Sequence, residues 1–471
     1  MNRINFPVEK ANGRPVESDG RSSEKKLKIC MLAACPFPAN HGTPGSIREM
    51  AEAVAELGHE VHVVTYHFGE DIPVEGARIH RITPVTDESS IVVGPTVRKP
   101  LYDLQMVFKA IEVIRRHKID VLQAHGYEAA LAAFLCKMAT GIPIVYNGHN
   151  TMADELPTYD FIRPRWLALG LGRLLDSIVP RLADRLMPHS ANMLEVFQKM
   201  GLKRRCESVL QIGIDMDWNA YGDGSEVRRQ YGLENCPVVL YAGVTDRFQR
   251  LDLLLKAMVT VLSEEPRTKL FLVTTIPNAQ QLNGLRRLAA ELGISDNVVI
   301  SEPQSLVSVR RYLAACDVAV VPRPRTPGFP MKMLNYMASR KPCILFRSSA
   351  PSDLSNRANA LLVSPDTGEA LGKAIVELIR DPELADHLTE SAYDFVRARH
   401  DRRLTAKQII EACNHCLGQD FPSTDNEELS VALPPTPTSS AGRLFGVSRV
   451  AKESSMNKSF VAQITESTTI H

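Results

Sequence analysis

Short apolar runs alternate with longer amphipathic segments along most of the chain. The apolar runs predict β-strands in two series, separated by a polar stretch. The first series occupies residues 28–34, 60–66, 120–125, 143–148 and 185–190. The second series occupies residues 237–243, 269–275, 297–301, 317–322 and 342–346. Strands that alternate with helices are typical of a parallel sheet covered by helices, so we expect one α/β motif to occur twice.

The segments outside these two series have a different composition. The N-terminus is charged and lacks the apolar stretch of a signal peptide, so we expect neither a signal peptide nor a membrane anchor there. After Leu417 the chain is rich in Pro, Ser and Thr, which is typical of disorder. The predicted organisation is a disordered leader (1–25), an N-terminal Rossmann-like domain (26–212), an interdomain connection (213–236), a C-terminal Rossmann-like domain (237–398), a C-terminal helix (399–418) and a disordered tail (419–471).

The composition is that of a soluble globular protein, with 44% hydrophobic and 23% charged residues. Lys and Arg total 55 and Asp and Glu total 54, so no net field attracts nucleic acid, which is not expected as a partner. The nine cysteines lie far apart and mostly inside apolar runs, which favours a reducing cytoplasm. Cys413 and Cys416 form a Cys-x-x-Cys pair without a second ligand pair at zinc-finger spacing, and we expect no metal there.

A loop with two glycines follows the first predicted strand. Gly42 and Gly45 allow the backbone to approach a ligand, and a helix that opens near Ser46 points free N–H groups at it. An anion at such a helix end gains about 0.3–1 kcal/mol. The strict Gly-x-Gly-x-x-Gly spacing is absent, so a plain tight turn is the alternative.

Polar side chains crowd into the loop after the predicted strand at 143–148. His149, Asn150, Asp154 and Glu155 lie there, at the sheet edge where ligands of parallel α/β folds bind. His149 is able to hydrogen-bond a sugar hydroxyl or to titrate near neutral pH. A purely structural role for this histidine is the alternative.

Two loops of the second half place cations near glycines. Gly243 ends a predicted strand and precedes Arg247 and Arg250, whose guanidinium groups suit a diphosphate unless the turn is simply solvated. Further along, residues 331–338 are predicted to be helical, with Lys332 in the first turn. A lysine in that turn opposes the helix dipole, so we expect it to bind something negative.

Four motifs, in this order and each after a predicted strand, resemble the family-4 glycosyltransferases of the GT-B fold. They are the loop with Gly42 and Gly45, the His-Ser-Ala-Asn-Met segment at 189–193, the Gly243 turn and the Gly-Phe-Pro-Met-Lys segment at 328–332. The resemblance extends over about residues 26–418. It implies an α/β fold of two Rossmann-like parallel-sheet domains that face a cleft, with the nucleotide-sugar bound by the second domain.

The same resemblance implies a retaining transfer of a sugar from a nucleotide-sugar donor to a lipid or glycan acceptor, in cell-envelope or polysaccharide synthesis. It implies no cofactor and no catalytic metal, in an enzyme of the cytoplasm or the inner membrane surface. His149 would be the catalytic residue beside the donor sugar, and the acceptor-side candidates are Asn150, Asp154 and Glu155. The donor-binding candidates are Gly42, Gly45, Gly243, Arg247, Arg250, Gly328, Phe329, Pro330, Lys332 and Asn335.

The chain departs from this family at two pairs of positions. The usual glutamates fall on Pro327 and Asn335, and the usual Arg and Lys after the glycine turn fall on Val244 and Gln249. A neutral hydrogen bond from Asn335 in place of a charge-assisted one costs about 1–1.5 kcal/mol, which weakens donor binding roughly tenfold. A branch of the family with Gln in this turn also carries Gly-x-Pro-x-Lys-x-Leu-Asn-Tyr-Met, so we expect coordinated changes in which the neighbouring cations replace the lost ones.

Two other functions stay open at this point. A catalytically silent GT-B protein would bind nucleotide or a partner without transferring a sugar. A GT-B sugar-nucleotide epimerase would change the donor with no acceptor present, since one fold serves both reactions.

The segment 160–186 combines an apolar helical stripe with five arginines. A basic amphipathic helix suits an anionic membrane surface. The favoured alternative is an ordinary helix, kinked at Pro180, whose stripe faces the core. In either case the segment has too many charges to span a bilayer. The stripe consists of Leu167, Leu171, Leu174, Leu175, Ile178 and Leu182.

Overall fold

A computed structural model describes most of the chain up to Gln419. The described residues are 25–39, 42–84, 98–158, 162, 164–206, 208–216, 223–275, 279–301, 304, 306–324 and 329–419. The predicted leader before Lys25 and the predicted tail after Gln419 lie outside the described residues, and so do Pro327 and Gly328.

Six parallel strands form the first sheet. They are β1 (Lys28–Ala33), β2 (Glu60–Thr65), β3 (Ala77–Arg81), β4 (Val121–His125), β5 (Ile144–Gly148) and β6 (Arg185–Pro188), in the spatial order β3-β2-β1-β4-β5-β6. The helices of this half are α1 (Gly42–Glu56), α2 (Lys99–His117), α3 (Tyr127–Thr140), α4 (Met152–Glu155), α5 (Arg165–Ile178) and α6 (Ala191–Lys199). The inner strands are buried on both faces, which is why their sequences are continuous apolar runs.

The second sheet repeats the first. Its strands are β7 (Val238–Gly243), β8 (Lys269–Thr274), β9 (Val298–Ile300), β10 (Val318–Val321), β11 (Cys343–Phe346) and β12 (Leu361–Val363), in the order β12-β11-β10-β7-β8-β9. The remaining helices are α7 (Ser225–Tyr231), α8 (Leu251–Glu264), α9 (Ala279–Glu291), α10 (Leu306–Ala314), α11 (Met331–Ala338), α12 (Gly368–Arg380), α13 (Pro382–Arg399) and α14 (Arg402–Cys416). Counted within each half, the two strand orders are the same.

The predicted class of two parallel α/β sheets is confirmed, and all ten predicted strands are present. The two strands that the pattern did not predict, β3 and β12, both lie at a sheet edge. β3 has the sequence Ala-Arg-Ile-His-Arg and is only partly buried, and β12 has three residues. An edge strand needs neither length nor two apolar faces, so the hydrophobic pattern carries little signal for it.

Helices cover both faces of the first sheet, and the last helix of the described chain is one of them. Leu32 faces the core beneath α2 and α3, whereas Met31 faces the opposite core beneath α1 and α14. Ala406, Ile409 and Cys413 of α14 are buried in this second core. The chain therefore returns to its first half after completing the second sheet.

A partly buried arginine stabilises the packing of α14 on the first half. The Arg402 guanidinium at the start of α14 lies 3.3 Å from a Glu49 carboxylate oxygen and 3.1 Å from a Glu52 oxygen on α1. Asp215, from the segment between the two sheets, lies 3.3 Å from the same guanidinium. Burial raises the pKa of Glu49 to about 7, although the two nearby arginines oppose that shift.

The expectation that the apolar stripe of segment 160–186 faces the core is wrong. Leu167, Leu171, Leu174 and Ile178 of α5 are exposed, and the opposite face of the helix is buried. A Cβ at Gly172 would lie 2.5 Å from the Met152 carbonyl oxygen, so only glycine permits this close approach to α4. Asp176 accepts hydrogen bonds from the Met152 and Ala153 backbone N–H groups, at 2.8 and 2.9 Å, and so satisfies the start of α4.

Candidate functional site

The strand order reverses at the same place in both sheets. In the first sheet β1 lies beside β4, and in the second β7 lies beside β10. Ala33 at the end of β1 pairs with His125 at the end of β4. Ligands of open α/β sheets bind outside the carboxyl ends of the strands at such a reversal, so the loops that follow these strands form the candidate site.

The glycine loop after β1 leaves open space at the start of α1. Gly42 has a φ of 43°, a conformation that favours glycine. A Cβ at Gly45 would meet only the Ala39 carbonyl oxygen, at 3.8 Å, so packing inside the protein does not require glycine there. In the same turn the Ser46 hydroxyl is buried and has no hydrogen-bond partner. The loop thus presents helix N–H groups, a hydroxyl and room for a ligand.

Three histidines lie together at the carboxyl ends of neighbouring strands, and we call them the histidine cluster. His125 ends β4, His149 follows β5 and His189 follows β6. The His149 ring centroid lies 4.2 Å from that of His189 and 5.8 Å from that of His125. The Nε2 atom of each ring is buried without a hydrogen-bond partner. Unpartnered buried polar atoms are rare, so three in one place indicate groups that await a ligand or water.

Burial keeps the histidine cluster neutral at neutral pH. It lowers the pKa of His149 to about 4. The pKa values of His125 and His189 are also held well below the ordinary value, by burial first and by neighbouring imidazoles second. Neutral imidazoles both donate and accept hydrogen bonds, as sugar hydroxyls do. The sequence left two roles open for His149, hydrogen bonding to a ligand and titration near neutral pH. Its burial favours hydrogen bonding.

The predicted acceptor-side residues brace the loop after β5. The Asn150 amide nitrogen donates to a Glu155 carboxylate oxygen at 3.3 Å, and its Oδ1 atom is buried without a partner. The Thr151 hydroxyl donates to Asp154 at 2.5 Å, and the Asp154 side chain is exposed. Asn150 thus offers a buried, unpartnered oxygen next to His149 in the chain, whereas Asp154 is exposed and already accepts a hydrogen bond.

In the second half, the glycine after β7 makes room for a partly buried lysine. Gly243 has a φ of 143°, and a Cβ there would lie 3.1 Å from the Lys332 Nζ atom. Lys332 belongs to the first turn of α11, whose bounds are those predicted from the sequence. The glycine is therefore required both by its backbone conformation and by the approach of the lysine.

Neutral oxygens hold the Lys332 ammonium group. Its Nζ atom donates to the Tyr241 hydroxyl at 2.6 Å and to the Gln249 side-chain oxygen at 2.7 Å. The Tyr241 hydroxyl in turn donates to the Val244 carbonyl at 2.6 Å. An ammonium group has three N–H donors, so one remains for another acceptor. Among the described residues, no carboxylate lies within ion-pair distance of Lys332.

A second cation lies beside Lys332. Arg323 follows β10, directly across the strand reversal from β7, and is buried. Burial, and then the charge of Arg323, hold the pKa of Lys332 well below its ordinary value, while Asp246 opposes the shift. A buried ammonium next to a guanidinium is costly unless an anion neutralises it. We call Lys332 and Arg323 the cationic pair, and two positive side chains at this strand reversal suit a phosphate or diphosphate.

The two arginines proposed for the donor have different surroundings. The Nε and Nη2 atoms of Arg250 bind the Asp252 carboxylate at 2.8 and 3.0 Å, which occupies one of the two edges that a guanidinium offers to an anion. Arg247 is exposed in a 3₁₀ turn, Arg247–Gln249. Arg247 is therefore more exposed than Lys332, and Arg250 already pairs with a carboxylate.

The other predicted donor residues surround the start of α11. Pro330 is the residue before its first turn, and Phe329 packs beside His400 with ring centroids 5.7 Å apart. Asn335 lies one turn after Lys332 on the same helix and is partly buried. Gly328 lies outside the described residues.

Sequence reasoning missed three residues of this site. His125 was counted only as a strand residue, Arg323 lies in the loop after a predicted strand and was not singled out, and His189 was noted only as part of a motif. One signal was present, because each is a polar residue directly at the carboxyl end of an apolar strand. Applied to every strand in turn, that rule selects all three.

Two family models match the chain, one on each half. The model described as Glycosyltransferase Family 4 matches residues 42–218, and the model described as Glycosyl transferases group 1 matches residues 223–395. With two Rossmann-like sheets of this strand order, these matches define the class of GT-B glycosyltransferases. The chain belongs to family 4, group 1, whose members use nucleotide-sugar donors.

Relatives and solved structures agree with this class. A D-inositol 3-phosphate glycosyltransferase of Thermobispora bispora is 24% identical over 391 residues, covering 79% of this chain and 89% of its own. The structure of Anabaena Alr3699/HepE with UDP and glucose gives a TM-score of 0.65 at 18% identity, covering 82% of this chain and 98% of its own. WaaG, a glycosyltransferase of lipopolysaccharide biosynthesis, gives 0.60 at 16% identity, covering 83% and 100%.

Proposed function

We propose that this enzyme transfers a sugar, with retention of configuration, from a nucleoside diphosphate sugar to a hydroxyl group of a lipid acceptor at the inner membrane surface. The observation that carries the donor assignment is the cationic pair of Lys332 and Arg323 at the strand reversal of the second sheet. UDP bound to Anabaena Alr3699/HepE supports a uridine nucleotide as the first donor to test.

The chemistry follows from the charges. When the sugar–phosphate bond breaks, negative charge grows on the leaving diphosphate, and a buried cation stabilises it more than water does. The third N–H of Lys332 and the guanidinium of Arg323 are placed to supply this stabilisation, together with the N–H groups at the start of α1 and Gly45. In this proposal the stabilising charges all act on the leaving diphosphate, and the residues around the sugar are neutral.

The histidine cluster is proposed to hold the sugar. Neutral His149, with a buried Nε2 atom, is suited to a sugar hydroxyl next to the reacting carbon, with His125 and His189 beside it. The first half, proposed as residues 26–212, would thus orient the sugar and acceptor. The second half, proposed as residues 237–398, would bind the nucleotide.

The exposed face of α5 supports a membrane-bound acceptor. Trp166 is 71% exposed and Leu174 is 53% exposed, and Leu167, Leu171 and Ile178 extend the same apolar face. Contiguous apolar surface of this kind marks interaction sites, and exposed arginines suit anionic lipid headgroups. The exposed arginines are Arg165, Arg173 and Arg181. Among the described helices none is long and apolar enough to cross a bilayer, so the contact would be peripheral.

A transfer assay with radiolabelled nucleotide-sugars and a lipid extract tests the activity. We expect labelled lipid from the wild type, none above background from Lys332→Ala, and wild-type yield from the control Lys373→Ala, which changes an exposed lysine of α12. Donor binding without transfer to any acceptor would contradict the proposal in favour of a silent nucleotide-binding protein. Conversion of the donor without acceptor would favour an epimerase.

Vesicle sedimentation tests the membrane contact. We expect binding to vesicles rich in phosphatidylglycerol that falls at least tenfold in Leu174→Glu, because a carboxylate opposes both the apolar contact and the anionic surface. The control Leu135→Glu alters an equally exposed leucine on α3 and should bind as the wild type does. Equal binding of both variants would exclude α5 as the contact.

A further inference from the structure

Three further histidines meet at the β2–β3 edge of the first sheet, and we call them the edge histidines. They are His62 on β2, His80 on β3 and His117 in the last turn of α2. One ring nitrogen from each lies within 4.8 Å of the other two. They belong neither to the histidine cluster nor to the cationic pair, and the proposed transfer makes no use of them.

The strand register explains why they meet. His62 pairs with Arg78 and Val64 pairs with His80, so His62 and His80 point to the same face of the sheet as diagonal neighbours. The helix α2 packs on this face, where its Val113 shares a core with Val64. His117 ends that helix, and its ring centroid lies 4.3 Å from that of His62.

The nitrogen atoms are close to metal-binding geometry. The His62 Nδ1 atom lies 2.8 Å from the His80 Nε2 atom. In a tetrahedral zinc site, with zinc–nitrogen bonds of 2.0–2.1 Å, two ligand nitrogens lie about 3.3 Å apart. His62 and His80 would separate slightly and His117 would move inward by at most about 1.5 Å, which side-chain rotation can provide.

A carboxylate supports the arrangement in the way that metal sites require. The His62 Nε2 atom lies 3.0 Å from a Glu60 oxygen, so the Nε2–H donates to Glu60 and the Nδ1 lone pair faces His80. Lys28 and Arg78 in turn lie 3.6 and 3.4 Å from Glu60. A metal-bound histidine almost always donates its other N–H to such a group, which fixes the tautomer and the ring orientation.

We propose that the edge histidines bind one divalent transition metal ion, with zinc as the first candidate. Imidazole ligands suit zinc, copper and nickel, and three of them leave one position for water. His80 and His117 are only partly buried, which leaves the ion a path from solvent. The ion would tie the edge strand β3 to the end of α2, and its role would be structural.

Calorimetric titration of metal-free, untagged full-length protein with zinc chloride tests this site. We expect one zinc per chain, with the affinity reduced at least 100-fold in His80→Asn and in His117→Asn. Glu60→Gln should lower the affinity about 10–100-fold, because it removes the carboxylate behind His62. The control His387→Asn, which changes an exposed histidine of α13, should bind as the wild type does.

Cobalt absorption spectra of the wild type provide a measurement that does not depend on the variants being folded. Tetrahedral cobalt with imidazole ligands absorbs strongly in the visible range, whereas hydrated octahedral cobalt absorbs weakly, and we expect the strong spectrum at one equivalent. Three results would overturn the proposal. They are the absence of stoichiometric zinc binding, wild-type zinc affinity in both asparagine variants, and a cobalt spectrum that stays weak. The edge histidines would then be a hydrogen-bonded group without an ion.

Discussion

The two strand reversals of this protein have the same topology and opposite chemistry. At the first, between β1 and β4, neutral groups collect: His125, the open glycine loop and the rest of the histidine cluster. At the second, between β7 and β10, two cations collect: Arg323, which is buried, and Lys332, which is partly buried. The repeated fold thus provides two equivalent crevices, and the residue at each strand end decides whether the crevice suits hydroxyl groups or phosphates.

The comparison also bears on the departure from the pattern that the family resemblance implies. That resemblance implies a lysine at the position of Gln249, and the side-chain oxygen of Gln249 accepts a hydrogen bond from Lys332. We infer that Lys332 supplies the positive charge from α11 in place of that lysine. Gln249 is buried, so a lysine there would put a second ammonium against Lys332.

The largest expected effect is a loss of UDP affinity when the crevice of the second sheet is altered, with little loss when the crevice of the first sheet is altered. Lys332→Met should lower the affinity for UDP about 100-fold, because charge-assisted hydrogen bonds of about 1.5–3 kcal/mol are lost. His149→Gln should change the UDP affinity less than about threefold, since this nucleotide has no transferred sugar. Calorimetry with UDP alone measures both. Similar losses of UDP affinity in the two variants would contradict the assignment of the nucleotide to the second crevice and the sugar to the first.

Gly243→Ala should have the next largest effect and should act through Lys332. An alanine at a φ of 143° is strained by about 1–3 kcal/mol, and its Cβ would approach the Lys332 Nζ atom to 3.1 Å. We expect a lower melting temperature together with weaker UDP binding. Gly284→Ala is the control, since a Cβ there meets nothing within 4 Å and helix α9 favours alanine. An unchanged UDP affinity in Gly243→Ala would mean that the glycine does not position the lysine.

The neutral crevice should appear as a pH dependence of stability. Between about pH 6.5 and 4, the unfolded chain protonates His149 and the folded chain does not, so the free energy of unfolding falls as the pH falls. Glu49, whose pKa is raised to about 7, acts in the opposite direction over the same range. Glu49 is present in both the wild type and His149→Gln, so the difference between their curves is free of its contribution. From pH 6.5 to 4.5 the wild type should lose about 2 kcal/mol more than this variant in urea unfolding. Parallel curves would place a charged His149 in the folded state.

The smallest effect is expected at Arg250. Its guanidinium is partly exposed and already bound to Asp252, and such pairs contribute about 0–1 kcal/mol. Arg250→Ala should therefore change UDP affinity less than about threefold, against the much larger loss in Lys332→Met. A loss at Arg250 comparable to that at Lys332 would mean that Asp252 releases the guanidinium when the donor binds.

The fold was largely predictable because burial acts on long stretches of chain. Nine of the ten predicted strands are buried on one or both faces, β9 is partly buried, and the bounds of α11 follow from the apolar spacing between Met331 and Ala338. Polar or very short edge strands such as β3 and β12 carry no such signal. The orientation of α5 was mispredicted because the leucine-rich stripe is the most apolar face of the helix, whereas the face that packs is made of small and polar residues. Ala168, Gly172 and Asp176, spaced by four, are the face that packs.

The site was predictable only in part, because it depends on contacts between distant segments. The position of Lys332 in a helical first turn predicted an unfavourable charge, and in the structure Lys332 is partly buried with its pKa held well below the ordinary value. The contact of Lys332 with Gln249, 83 residues away, leaves no local pattern. The same holds for the histidine cluster, since His125, His149 and His189 meet only through the order of β4, β5 and β6.

The return of α14 to the first sheet sets the order in which the protein can mature on the ribosome. The first-sheet strands are complete by Pro188, yet the core around Met31 is covered only by α1 on this side until Ala406, Ile409 and Cys413 of α14 have been made. Roughly 200 residues, or about 10–40 s of synthesis, separate these events. During that interval an apolar face is open to chaperones or to misassembly. A shortened chain that ends with the first sheet would keep that face open permanently.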